Sequence, residues 1–562
     1  MKLVLWLGRI VGGLLVLAGL AAAVYAGPDD LVPLPRADVG QGVTAVRSTP
    51  GLLSYRDTTV RVSATNAAGE VFVGVANPVD AASYLDGVKR LDISEVTARG
   101  EIRGKTVDGK LAAPAVSPQK VDFWLAKASG AGEQSVTVPL RGDALNLVVL
   151  PVGKAGDLSL GLAWQVAGIF RLALVVAVVG LALLVGSMLL RRRDNTRRKV
   201  VAAGVPTAGG SPSGLATSEA GRSTPVALLG SAVAAALVLA GCVSLPQQVP
   251  VDDVAPTTTG FTARDAASVL KDYDARSNAA IKAATTKYDT KAWANADTGV
   301  ALAGDQFQTA LAKALATREK PAVITHTPMA VYTPSFDRYP VWSMVVTKVT
   351  NSLDSKDEAA KAKAARQLCL MVRASPSSPW LLAGEVDLSK PAPPRALAAG
   401  APSTATDVDR RAAMKLVENF RDAVSRGAAP TFTVDAGVRE VLDIASGKGA
   451  TKAAQTQLDV NHLDTRIADQ TGPGGSVQVV KVHGGTLVFV SQVGRYTQIA
   501  DSDTVFSWVK GYAEVLQETG RDGSISAPTG VMAAFLVTPK GAQALGGGVT
   551  FAVPGQPVTW PR

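Results

Sequence analysis

The sequence predicts a multidomain membrane protein: transmembrane helices, an all-β sandwich-like exported domain, and a tandem α+β exported region in which a helix is twice followed by an antiparallel, cone-like meander. Three observations predict this. Three long uncharged apolar segments interrupt the 562-residue chain. Strand-length runs of period two fill the stretch between the first and second segments. After the third, helix-period and then strand-period patterns occur twice. The length is too great for one hydrophobic core and suggests three or four folded units. An apolar content of 47% excludes a disordered chain, and 5% aromatics means that Ala, Val and Leu carry the cores.

The first apolar segment, Ile10–Ala26, is preceded by Lys2 and Arg9 and approaches the ~20 residues a helix needs to cross a bilayer. Residues 1–26 read either as a retained transmembrane anchor or as a signal peptide, since small residues precede Gly27 where a signal peptidase cuts. The second segment closes a helix predicted over 163–190 and ends at Arg191-Arg192-Arg193. Positive charge marks the cytoplasmic side, so this helix runs from outside to inside. Residues 191–225 form a basic, then Gly/Ser/Pro-rich, cytoplasmic loop. The third segment, 226–243, takes the chain back out. None of the three cores carries a charge, and Gly12-Gly13 and Gly180 read as helix-packing positions. The helices are anchors rather than a conduction path.

The third segment ends Leu239-Ala240-Gly241-Cys242, which resembles the lipobox of bacterial lipoproteins. That resemblance implies lipidation at Cys242 and cleavage before it; the alternative is a plain transmembrane helix ending in Gly-Cys.

The net charge of +10 raises the question of nucleic acid. Between Arg191 and Ser223 lie seven basic residues and two acids, a local +5 that is half the total. Charge so placed sets membrane topology and attracts anionic lipid rather than forming a DNA-binding face. The expected partners are therefore membrane lipids and, beyond them, another envelope protein or a wall polymer, with no nucleic acid.

Residues 27–162 alternate at Val60–Ser63, Val71–Val75, Val136–Val138 and Leu158–Leu162, with a buried run at Leu145–Leu150 and turn residues between. This is the pattern of a β-sandwich, with one short helix expected over Asp80–Leu91. Trp124, within a strand-like run, reads as core. A tether over 244–260 leads to an α+β domain at 261–389. It opens with a long helix carrying Val269 and Tyr273, then a second with Phe307, Leu311 and Leu315, then strands at Ala322–Tyr332, Val341–Thr350, Gln367–Ala374 and Trp380–Leu388. A Pro/Ala linker, 390–405, precedes a second α+β domain, 406–562. That domain has a helix at Asp407–Arg426, strands at Gln457–Ala468, Val477–His483 and Thr486–Val493, a helix at Thr504–Gln517, and strands at Val531–Thr538 and Val549–Val553.

Several stretches resemble actinobacterial membrane-anchored envelope proteins of unknown function. In the first exported region these are Val71–Ala76, Tyr84–Val88 and Phe123–Ala126 with Gly130–Gln134. In the second they are Val269–Tyr273 with Asn278–Ala280, Ala330–Pro334 to Tyr339–Trp342, and Leu487–Val490. The resemblance implies an outward β-sandwich module and a lipoprotein-like C-terminal region, and no activity.

The chemical inventory is bare. No Gly-x-Ser-x-Gly elbow occurs. Ser446–Thr451 imitates a phosphate loop but lacks the upstream glycine, and reads as a helix end with a turn. Cys369 lies in an apolar run and reads as an inert buried thiol. His326, His462 and His483 have no partner visible in the sequence. Asp252-Asp253 and Asp435/Glu440 read as solvated charge. Tyr332, Tyr339, Trp342 and Trp380 are the aromatics that a ligand-facing cone mouth would use, with core packing as the ordinary reading. No catalytic residue, cofactor site or metal site is assigned. A non-enzymatic binding or scaffolding protein of the envelope follows; the alternative is an extracytoplasmic enzyme acting on wall or lipid polymers.

Overall fold

A computed structural model describes residues 2–40, 42–97, 99–202, 247–249, 256–353, 365–388, 393–397, 403–448, 453–459, 476–500, 508–517, 523–556 and 558. The third apolar segment, Cys242, Asp252-Asp253 and His462 lie outside the described residues. The chain divides into two compact units, Met1–Ala81 with Leu85–Val254, and Ala255–Arg562 with Ala82–Tyr84.

The first unit begins with helix α1 (Lys2–Ala26) and has α2 (Pro78–Tyr84) and α3 (Ile169–Ala202) further along. Trp6–Ala26 and Ile169–Leu189 are each 21 residues long, with mean hydropathies of 2.1 and 2.8, so both are long and apolar enough to cross a membrane. They pack antiparallel along a seam of small residues. Gly8 faces Ser187, Gly12 faces Gly180 and Leu184, and Gly19 faces Ala173 and Ala177. A Cβ on Gly19 would stand 2.6 Å from the Ala177 nitrogen, and one on Gly180 would stand 2.7 Å from that of Val16. Only glycine lets these backbones approach so closely, as in small-x-x-x-small helix pairs. The outer faces stay apolar and uncovered, Leu17 at 68% and Val178 at 64% exposure. Arg191, Arg192 and Arg193 continue α3 as helix to Ala202 rather than opening a loop.

Among the described residues, this unit has twelve strands: β1 (Leu31–Pro33), β2 (Ala37–Asp38), β3 (Val46–Ser48), β4 (Tyr55–Asn66), β5 (Glu70–Ala76), β6 (Arg90–Val96), β7 (Ile102–Val107), β8 (Ala126–Ala131), β9 (Gln134–Arg141), β10 (Asn146–Val152), β11 (Leu158–Gln165) and β12 (Gln247–Gln248). They make two six-stranded sheets. In one, β11 pairs with β1, β2 and β4, and β4 also pairs with β9 and β12; the other runs β7-β6-β3-β10-β5-β8. The inward residues are those the alternation singles out, among them Val60, Val62, Val71, Val73, Val136, Val138, Leu158 and Leu160, in one shared core. Trp124 is buried against Phe72, its Nε1 donating to the Pro118 carbonyl at 2.9 Å.

The helix expected over Asp80–Leu91 stops at Tyr84, and Leu91 belongs to β6. Strands β6 and β7 were not legible because their half-buried faces are held by charge. Arg47 of β3 lies opposite Asp92 of β6 and grips it with two hydrogen bonds of 3.0 and 2.6 Å, while Arg90 adds a third at 3.0 Å.

Two connections tie the sandwich to its helices. The Asp30 carboxylate accepts from the Gly168 and Phe170 amides at 2.9 and 2.8 Å, so an anion sits at the N-terminus of α3. Strand β12 lies beyond the third apolar segment in sequence, yet pairs antiparallel with the start of β4, Gln247 opposite Arg56. Val249 extends the pairing: its amide donates to the Ser54 carbonyl at 2.9 Å, and the Ser54 hydroxyl donates back at 2.6 Å.

The second unit contains α4 (Ala266–Lys287), α5 (Gly299–Ala314), α6 (Asp407–Arg426), α7 (Ala436–Ala445) and the short α8 (Tyr512–Leu516). Its first sheet runs β14 (Ile324–Tyr332), β16 (Val341–Asn351), β17 (Arg366–Arg373), β18 (Leu381–Asp387), all antiparallel, with β13 (Thr258–Thr259) paired to β15 (Ser335–Phe336) beside it. The second sheet is built from β19 (Ala453–Asp459), β20 (Val477–Val482), β21 (Gly485–Ala500), β22 (Ser524–Thr538) and β23 (Gly541–Phe551). The expected strand Gln457–Ala468 is thus β19, shifted toward the N-terminus, with 460–475 outside the described residues. Of the expected helix Thr504–Gln517, only Tyr512–Leu516 is helical among the described residues.

The sheets pack face to face. Gly384 of β18 lies against Met532 and Phe489, and the β20–β22 residues Val480, Leu487, Phe489 and Ala534 share a core with Met344, Leu370 and Val386. The far face of the second sheet is covered by α6 and α7 through Leu416, Phe420, Val438 and Val441. Helix α6 is started by a capping box in which Thr406 and Asp409 each satisfy the other's amide. Helix α4 covers the far face of the first sheet, giving a layered α/β/β/α arrangement.

Candidate functional site

The charged residues that the second unit buries converge where α4 meets the first sheet. On α4, Leu270, Tyr273, Asp274, Ser277 and Ala280 form the buried stripe. An acid on the apolar face of a helix needs partners, and Asp274 finds them on edge strand β14. One carboxylate oxygen accepts the His326 amide at 3.0 Å; the other meets His326 Nδ1 at 2.5 Å. One turn on, the Asn278 amide closes both backbone groups of Ile324, at 2.8 and 2.9 Å. Four helix residues rise ~6 Å and two strand residues ~6.8 Å, so the two side chains match the spacing of the strand's outward groups. This arrangement covers an edge that would otherwise be free to pair with another chain.

The same face of the sheet carries Cys369, directly opposite Glu385 across the β17–β18 pair. A donor atom from each of His326, Cys369 and Glu385 lies within 4.8 Å of the others. Cys369 is 2% exposed, and its sulfur has the Thr347 hydroxyl at 3.8 Å. Burial, reinforced by the Glu385 charge, holds the thiol well above its usual range. Burial also raises Glu385, against the opposing pull of His326.

Beside this group Tyr273 donates to Asp297 at 3.2 Å. Asp297 precedes α5, held there by a bridge to Leu382, and pairs with Asp305 nearly two turns into that helix. Burial and then the neighbouring Asp305 charge raise Asp297 well above the carboxylate range; burial and then Glu385 push Asp305 up to about 7.

Because the folded chain holds these protons more tightly than the unfolded chain, their contribution to stability is complete below the unfolded value near 4 and is lost as pH rises through about 7. Asp409 and Glu133, whose values are lowered, change only at more acid pH and do not oppose this. The full-length chain in detergent should therefore gain on the order of 2 kcal/mol between pH 8 and pH 5.5, read as a rise in thermal midpoint. Asp305→Asn should flatten that dependence; parallel curves for the two proteins would refute the assignment.

The aromatics noted from the sequence pack as core. Tyr332, Trp342 and Trp380 are buried, and Tyr339 packs half-buried against them. Trp342 meets Phe336 edge-on at 5.6 Å and Trp380 meets Phe261 at 4.9 Å; the Tyr332 hydroxyl donates to the Pro394 carbonyl. These four side chains thus have packing roles in the core. His483 is exposed at its hairpin turn. Gly447, in the phosphate-loop imitation, is the left-handed residue (φ 68°) that ends α7, and Asp435 caps the start of that helix through the Val438 amide. In the first unit, a cleft of about 320 Å³ lined in part by Tyr25, Arg36, Arg61 and Glu133 has its arginines matched by acids, Arg36 to Glu133 and Arg61 to Asp29.

Asp274, Glu385, Asp297 and Asp305 were missed in the sequence. Two signals were present: an aspartate on the apolar stripe of a helix, and a glutamate in the middle of the strand Leu381–Asp387. No protein-family model, curated protein or solved structure matches the chain.

Proposed function

We propose that the chain is a membrane-anchored, multi-pass protein of the cell envelope. In this reading both folded units are displayed on the extracytoplasmic side, where they act as non-enzymatic binding or scaffolding modules for another envelope component. The observation that carries it is β12. Strand β11 leads into α3, whose far end bears Arg191–Arg193, yet β12, beyond the 44 residues that separate it from α3, pairs with β4 in the sheet that contains β11. A chain that crosses the membrane through α3 and rejoins its starting sheet must cross an even number of times, and Val226–Val243 has the composition for the return. The glycine seam supports α1 as a retained anchor, because a leader destined for removal has no need of a fitted partner. Lipidation at Cys242, with the cleavage before it that the lipobox implies, would instead anchor the part that starts at Cys242 by its own lipid at the outer membrane surface.

The acid-rich cluster does not favour the enzyme reading, because His326 and Cys369 are only 8% and 2% exposed.

Single cysteines at Lys110, Ser211 and Ser446, in a Cys242→Ala/Cys369→Ser background, test the arrangement with a membrane-impermeant maleimide. Positions 110 and 446 should label in intact cells and position 211 only after permeabilisation. Labelling of 211 alone in intact cells would reverse the proposal.

A further inference from the structure

We propose that His326, Cys369 and Glu385 form a structural binding site for a divalent cation of the zinc class, with Asp274 as the residue that positions the imidazole. The donors come from β14, β17 and β18, three strands of one sheet, and project from one face to within 4.8 Å of one another. Tetrahedral zinc holds N, S and O ligands at about 2.0–2.3 Å, which places donors about 3.5 Å apart. The side chains therefore close by roughly 1 Å on binding, a movement of χ angles with no change of strand register.

The set of one imidazole, one thiol and one carboxylate suits zinc rather than the all-oxygen preference of calcium or magnesium. A second Glu385 oxygen completes the coordination.

Two further observations point the same way. The Asp274 carboxylate engages Nδ1, which leaves Nε2 as the ring nitrogen available to a metal. A carboxylate that both orients a histidine and fixes its tautomer is the usual outer partner of a metal-bound imidazole. The same carboxylate also takes the His326 amide, so the ring is held at its backbone and at its side chain. The cluster is also a closed one, as structural zinc sites are. Among the described residues, its other near neighbours are acids (Asp387, Asp297) and the hydroxyls of Tyr273 and Thr347. Burial disfavours the ionised thiol and carboxyl, and a bound dication offsets that penalty; the thiol proton leaves to solvent on binding, and the centre of thiolate, carboxylate and dication is then neutral.

The test uses the full-length chain in detergent with Cys242→Ala, which leaves Cys369 as the sole thiol. After stripping with chelator, the protein is titrated with Co²⁺ and then Zn²⁺. One equivalent of Co²⁺ should bind with a thiolate-to-cobalt band in the near ultraviolet and the visible bands of a tetrahedral site, all erased by Zn²⁺. Glu385→Gln should weaken Zn²⁺ at least tenfold, and Asp274→Asn should do so by roughly 10–100-fold. The band is read on protein with an intact site, so a variant that fails to fold does not remove the test. Co²⁺ bound without the thiolate band, or Zn²⁺ affinity unchanged in a folded Glu385→Gln protein, overturns the proposal.

Discussion

Asp274→Ala is expected to destabilise the second unit by about 3–5 kcal/mol, the cost of removing one partner from a buried polar pair. The change leaves the His326 amide and Nδ1 without the carboxylate they share, at a residue 8% exposed. It also uncouples α4 from β14, where Asp274 and Asn278 are the helix side chains that close the strand's outward backbone groups. Asp274→Asn separates the effects. Its carbonyl oxygen still accepts the His326 amide, but its NH₂ faces Nδ1 and forces the other ring tautomer, so about half the loss is expected. Chemical unfolding gives the totals, and amide exchange at Ile324–Tyr332 gives the location. Equal exchange in wild type and Asp274→Ala would show that the helix docks without this residue.

The second large effect lies in the helix pair. Leucine at Gly19 or Gly180 meets backbone atoms of the partner helix at 2.6–2.8 Å, which no side-chain rotation relieves. The pair should separate. Gly8 offers the reporter: its Cβ position lies 3.8 Å from the Ser187 Cβ, the mean spacing of a disulfide. A Gly8→Cys/Ser187→Cys protein should cross-link under mild oxidation in the membrane, and Gly180→Leu should reduce that product to background. Gly13→Leu is the control, because nothing lies within 4 Å of its Cβ position. Loss of cross-linking with Gly13→Leu, or its survival with Gly180→Leu, would contradict the seam.

Much of this architecture was written in periodicity, and what escaped did so for physical reasons. Val136, Val138 and Leu140 alternate because one face of β9 meets the sandwich core. By contrast β6 and β7 are stabilised by the Arg47–Asp92–Arg90 group and edge pairing, so their sequence carries no apolar rhythm. Most helices and strands of the C-terminal region were visible one by one, although α7 was legible only as a helix end before Ser446. That Gly384 would lie against Met532 and Phe489, and so bring the two sheets into one layered body, depends on a contact 105 to 148 residues away that no local pattern encodes.

The buried cluster shows the same limit. Cys369 and His326 were each visible as residues in apolar strands, but Asp274 and Glu385 reach them only through strand register and helix docking. The packing of Tyr332, Trp342 and Trp380 likewise follows from the sheet, not from the Pro-bounded turns beside them.

The central claim is that the chain leaves its β-sandwich through α3 and returns to it at β12 on the same side of the membrane. An Arg56→Cys/Gln247→Cys pair in the Cys242→Ala/Cys369→Ser background tests this most directly, because the two positions face each other across antiparallel strands. The expected result is a disulfide that forms in cells without added oxidant and speeds migration on a non-reducing gel, since both residues meet in the oxidising compartment. Free thiols at both positions, with the one at position 247 reactive only after the membrane is opened, would contradict the return of the chain and the topology built on it.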